Sequence, residues 1–150
     1  MTRRSYTIMK WGWLSMPKIS TRVTFDKKAA IAKIRAAGND ALTIAGQQAL
    51  KDVTKYVPRD QGFLQDSGIT NSDDRAEDMT YTLRWDEPYA QYLWHGELMH
   101  GNPVNRTYGP EKLKFTSALA RIEWAKYAQK VYGANWEKVY QAALRREMSK

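Results

Sequence analysis

The sequence predicts an α+β fold: a long N-terminal helix packed on a small antiparallel sheet, with a C-terminal helical hairpin. Three observations carry that prediction. Residues 27–56 hold apolar and small residues at helical spacing. Two short stretches, 18–25 and 79–85, alternate apolar and polar residues at period two. Beyond Thr116 the spacing returns to helical as far as Met148. With 150 residues, a hydrophobic share of 43% and six tryptophans, the chain has enough apolar material for one folded core.

In residues 1–15, Tyr6, Ile8, Trp11, Trp13 and Leu14 stand among Arg3, Arg4 and Lys10. They read as an N-terminal arm that docks on a neighbouring subunit, as an extension from an upstream start, or as a peripheral strand. Residues 16–150 read as a single domain. From Lys18 to Phe25, Ile19, Thr21, Val23 and Phe25 face one way and Ser20, Arg22 and Thr24 the other, a half-buried strand. Asp26 follows as a helix cap. The helix over 27–56, roughly 45 Å if straight, carries a stripe of Ile31, Ile34, Ala41, Leu42, Ala45, Ala49, Val53 and Tyr56. Gly38 and Gly46 interrupt that stripe; they allow close approach of another element, and a bend is expected near Gly38.

Pro58 lacks an amide hydrogen and pushes Val57 toward extended backbone, so the helix ends near Tyr56. Asp60 bonds nearby amides and Gly62 permits positive φ, which makes a corner from which Phe63 and Leu64 re-enter an apolar environment. Residues 67–72 then read as a short strand. Residues 73–78, with four acids in six positions, read as a solvated hairpin loop, lacking the glycine and terminal glutamate of a calcium loop. Met79, Tyr81, Leu83 and Trp85 form the inward face of a strand paired with 67–72. Pro88 starts a short helix that Gly96 ends, with Tyr89, Tyr92 and Leu93 on one face. Residues 101–110, with two glycines and two prolines, read as a loop. One helix follows over 116–132 and ends at Gly133; a second, capped by Asn135, runs over 136–148.

Two stretches carry a resemblance. Tyr56-Val57-Pro58-x-Asp60-x-Gly62-x-Leu64-x-x-Ser67-Gly68, followed by Trp85-x-x-Pro88-Tyr89-Ala90-x-Tyr92-Leu93-x-x-Gly96, resembles the minor capsid proteins of tailed phages. More broadly it is similar to the neck and tail-completion proteins at the head–tail connection. The resemblance runs from about residue 17 to the end, and its motifs are structural, not catalytic. It implies a virion protein, made in the host cytoplasm, that forms a homo-oligomeric ring in the neck. Its partners would be copies of itself and other neck, connector and tail proteins, with DNA passing through the lumen without sequence readout. Trp11, Trp13, Pro58, Asp60, Gly62, Leu64, Tyr89, Tyr92 and Trp94 are the candidate subunit contacts; a role for Trp11 and Trp13 goes beyond the family pattern.

Against this stand other classes of function. The formal net charge is +8, distributed as +6 over residues 1–28, −3 over 29–110 and +5 over 111–150. A basic nucleic-acid-binding module without sequence specificity is the alternative, through phosphate attraction and stacking on the aromatics. The basic residues are dispersed, and no module signature is present. For an enzyme, His95, Glu97 and His100 have the types of zinc ligands. The two histidines are five apart with Gly96 between them, not one helical turn apart as a His-Glu-x-x-His site needs. Ser67 and Ser117 stand in no nucleophile-elbow context. No Gly-rich phosphate fingerprint occurs, and there is no cysteine for a disulfide, a thiolate metal site or a nucleophile. The expectation is therefore no enzyme, no cofactor and no metal. No apolar run reaches the length of a membrane span, and no signal-peptide core follows Met1.

Overall fold

The computed structural model describes residues 4–9, 20–59, 61–102 and 104–150. The chain is α+β and divides into two compact units, Met1–Ala36 and Ala37–Lys150. The sequence-derived boundary between residues 15 and 16 lies outside the described residues, as do Trp11 and Trp13.

In the first unit, β1 (Arg4–Met9) pairs antiparallel with β2 (Ser20–Phe25), in register from Arg4 opposite Phe25 to Met9 opposite Ser20. The long helix α1 (Lys27–Thr54) begins immediately afterwards. Asp26 caps it as expected: its Oδ1 accepts the amides of Lys28 at 3.1 Å and Ala29 at 3.2 Å. Phe25, expected on the inward face of its strand, is 56% exposed, and Ile31 and Ile34 at the head of the stripe are exposed as well.

In the second unit the same helix buries small residues: Ala37, Gly38, Ala41, Ala45, Gly46 and Ala49, then Val53. The helix is unbroken through Gly38. The two glycines serve close approach. A Cβ on Gly38 would lie 2.8 Å from the Met79 sulfur, and one on Gly46 would overlap the Tyr81 ring. The alternation over 79–85 therefore has its physical origin in packing, Met79 and Tyr81 on α1 and Leu83 and Trp85 on the core, with Tyr81, Leu83 and Trp85 half-buried and Thr82 and Arg84 exposed.

That segment is not a strand, and residues 67–72 are not its partner strand. They belong to α2 (Phe63–Asn71) and its C-cap Ser72. Leu64, Ser67 and Gly68 form the buried face of α2 at helical spacing, and a Cβ on Gly68 would overlap the Trp85 indole. Side-chain oxygens replace the missing ladder. Ser67 Oγ accepts the Asp86 amide at 2.9 Å, Ser72 Oγ accepts that of Arg84 at 3.0 Å, and Asp73 Oδ2 accepts that of Thr82 at 2.6 Å. The acidic loop is solvated, as expected: Asp74, Glu77 and Asp78 are exposed. Its tip is a tight turn in which Glu77 and Thr80 exchange backbone hydrogen bonds.

The short helix α3 (Ala90–His95) ends as expected at Gly96, whose φ is 71° and whose amide donates to Tyr92 O at 2.8 Å. Residues 101–110 are a loop only in part. A hairpin forms from β3 (Glu97–His100) and β4 (Thr107–Lys112), with Met99 opposite Tyr108. Stacking of Tyr108 on Tyr92, centroids 5.8 Å apart, ties β4 to α3 and gives the strand a packing partner that composition does not show.

The expected C-terminal helical hairpin is a single helix, α4 (Trp124–Met148), running through Gly133. A lone glycine costs about 1 kcal/mol in a helix interior, and anchors on both sides outweigh it. Tyr132 lies against Tyr56, with centroids 6.3 Å apart, and Trp136 Nε1 donates to Asp52 Oδ2 at 2.9 Å. α4 thus runs back antiparallel along α1. Residues 116–123, expected to be helical, are irregular. Trp124, 1% exposed, stands at the centre of the core with Val53, Val57, Leu64 and Ala128; Trp85 and Trp94 pack edge-on against it.

Candidate interaction groove

The end of α1 is built to stop at the corner. Tyr56 and Val57 donate to Val53 O and Thr54 O in a closing turn. Gln65 Nε2 donates both to the Thr54 carbonyl, which Val57 N reaches only at 3.3 Å, and to the Val57 carbonyl, at 3.1 and 3.2 Å. Gly62 then takes the left-handed conformation, φ 91°, and its carbonyl accepts the Asp66 amide at the start of α2. This holds Pro58 buried and leaves Phe63 59% exposed, while Leu64 enters the core.

Opposite the corner lies α3 with its N-cap, presenting Tyr89 from the cap and Tyr92 and Leu93 from the helix. A third wall comes from Leu113 to Thr116, held where Leu113 N donates to Gly96 O at 2.8 Å and Thr116 Oγ1 donates to Arg59 O at 3.3 Å. Farther along, Arg121 N donates to Tyr56 O and Glu123 N to Trp94 O, so the segment is clipped to both helix ends. The result is an open groove of about 590 Å³. Its lining is apolar and aromatic, its charged members are Arg59 and Lys114, and no described acidic residue lines it. Burial raises the pKa of the Tyr92 phenol, Arg106 opposing and Tyr108 assisting, so Tyr92 presents a neutral hydroxyl beside an apolar ring.

Comparison with protein-family models, with curated proteins and with solved structures gave no match.

Of the residues singled out in the sequence, the groove gathers Pro58, Gly62, Leu64, Tyr89 and Tyr92. Trp94 is half-buried instead against Trp124, with ring centroids 4.9 Å apart and Lys126 Nζ 6.0 Å from its ring. Asp60, Trp11 and Trp13 lie outside the described residues. Sequence reasoning missed the wall of residues 113–116. Its signal was the alternation of Leu113 and Phe115 with Lys112, Lys114 and Thr116.

The residues weighed for catalysis are dispersed. His95 is exposed, and His100 Nε2 lies 2.6 Å from Glu111 Oε2 on the outer hairpin. The Glu111 carboxyl is held below its ordinary pKa by its own backbone amide first and by His100 second. Ser67 Oγ accepts both Asp86 N and Asn71 Nδ2. Among the described residues, no group of three or more His, Asp or Glu side chains is placed to hold a metal ion. No described helix is long and apolar enough to cross a membrane.

Proposed function

We propose that this chain is a structural subunit of a tailed-phage virion, assembling as a homo-oligomeric ring in the neck around the DNA path. One observation carries the reading: of the two stretches with the neck-protein resemblance, Pro58, Gly62 and Leu64 from the first and Tyr89, Tyr92 and Leu93 from the second line a single groove. They are far apart in sequence, yet α1, α3 and residues 113–116 bring them together. The groove offers what protein contacts favour, tyrosines and an exposed phenylalanine with an arginine at the edge. Further apolar surface is exposed at Phe25, Ile31 and Ile34. In this reading the subunit acts by burying apolar area against its neighbours, and it guides DNA without reading sequence.

The test is assembly. Purified chain, sized by light scattering alone and with the portal and tail-end proteins of the same particle, is expected to form a ring. Replacing Phe63, 59% exposed, by aspartate should abolish the ring while leaving the fold intact by circular dichroism. A chain that stays monomeric with every neighbour but binds DNA tightly at low salt would favour the nucleic-acid-binding alternative.

A further inference from the structure

We infer that the groove of one copy receives the acidic loop, residues 73–78, of the next copy. The inference rests on the assembly reading and names the contact through which copies meet. Charge complementarity carries it. At the groove, Arg59 and Lys114 are exposed, and neither forms an ion pair with a described residue. On the loop, Asp74, Glu77 and Asp78 are exposed and likewise lack ion pairs with described residues; Arg75 is directed to Asp40 at 3.6 Å. Like charges on each surface disfavour groove-to-groove and loop-to-loop contact, so only the unlike pairing brings opposite charges together.

Geometry adds two points. The loop is pre-shaped: Thr43 Oγ1 accepts the Ala76 amide and Asn39 Oδ1 that of Met79, both at 2.8 Å. Its tip holds two non-glycine residues at positive φ, Asp78 at 48° and Met79 at 59°. Backbone of that kind persists only where the surroundings fix it, and a fixed loop loses little entropy on docking. Second, the two surfaces lie toward opposite ends of the part of α1 that belongs to this unit. The loop is pinned at Asn39 and Thr43, whereas the groove begins past Thr54, roughly 16–22 Å along α1 by the ordinary helical rise. Two different, complementary surfaces produce head-to-tail association, which closes into a ring when the rotation divides a full turn. Partly exposed Met79 supplies the loop with an apolar tip for the Phe63 edge of the groove.

The experiment is a charge swap read by sedimentation velocity. One variant carries Arg59→Glu and Lys114→Glu; the other carries Asp74→Lys, Glu77→Lys and Asp78→Lys. Each alone is expected to be monomeric where the wild type associates, and an equimolar mixture should regain assemblies with the two variants alternating. Wild-type association should also fall as salt rises. Association undiminished in either variant, or a mixture that stays monomeric, overturns the inference. So does a wild-type chain that remains monomeric at millimolar concentration and low salt, which would assign the groove to a different protein. The assembly reading fails on another observation, absence of the chain from the particle neck, so the two failures are distinguishable.

Discussion

Gly46 and Gly133 show how one residue type does opposite work in two helices. At Gly46 a methyl group would overlap the Tyr81 ring, whereas at Gly133 it would meet only Gln129 Cγ at an ordinary 3.7 Å. Gly46→Ala is therefore expected to destabilise by about 1–3 kcal/mol through overpacking. Gly133→Ala should stabilise by up to about 1 kcal/mol through helix propensity. Urea unfolding of the two variants checks both signs. Asp52 makes a second residue-scale case. Burial opposes its charge, yet hydrogen bonds from Trp136, Gln48 and Lys55, together with the Lys55 charge, outweigh burial and lower its pKa. A depressed carboxyl pKa contributes stability that is complete above the unfolded value near 3.8 and is lost as pH falls through the lower folded value. Trp136→Phe removes the indole donor. It should cost about 1.5–3 kcal/mol near neutral pH, the range for a hydrogen bond to a charged group, and the cost should shrink on acidification below that range. Melting temperatures across an acid series test it.

At the scale of elements, the segment after the acidic loop behaves as a strand without a sheet. Ser67 and Ser72 accept backbone amides that a neighbouring strand would otherwise bind. Ser67→Ala and Ser72→Ala should each cost about 1 kcal/mol, and amide exchange at Asp86 and Arg84 respectively should accelerate. Loss of stability with unchanged exchange at those two amides would contradict the role assigned to the serines. These elements also show what the sequence could convey. The alternation of Tyr81, Leu83 and Trp85 was readable because burial sets it, whatever the partner. The partner was not readable, because Ser67 and Gly68 bury a helical face with residues that carry no hydrophobic signal. Likewise the Asp26 cap, the stop near Pro58 and the Gly96 terminus rest on local backbone chemistry and emerge from sequence alone. The continuity of α4 through Gly133 depends on Tyr56 and Asp52, about eighty residues earlier, and β4 depends on Tyr108 finding Tyr92. The corner and the aromatic turn were legible as two motifs; their meeting in one groove required tertiary structure.

At the scale of the whole molecule, the charge pattern and the groove belong to one account. A chain with formal charge +8 carries its acidic loop and its cationic groove on one compact unit, and that arrangement suits copies meeting head to tail. In the groove, Met79 of the loop would add an apolar contact with the Phe63 edge, and the charges would select the neighbour and speed encounter. High salt should therefore slow ring formation more than it accelerates dissociation, a split that stopped-flow light scattering resolves. The central claim, a ring in the neck of a tailed particle, is tested most directly by electron microscopy of the native virion with this chain specifically labelled. The account expects label in a closed collar between portal and tail. Label dispersed over the capsid, or absent from the particle, would contradict it.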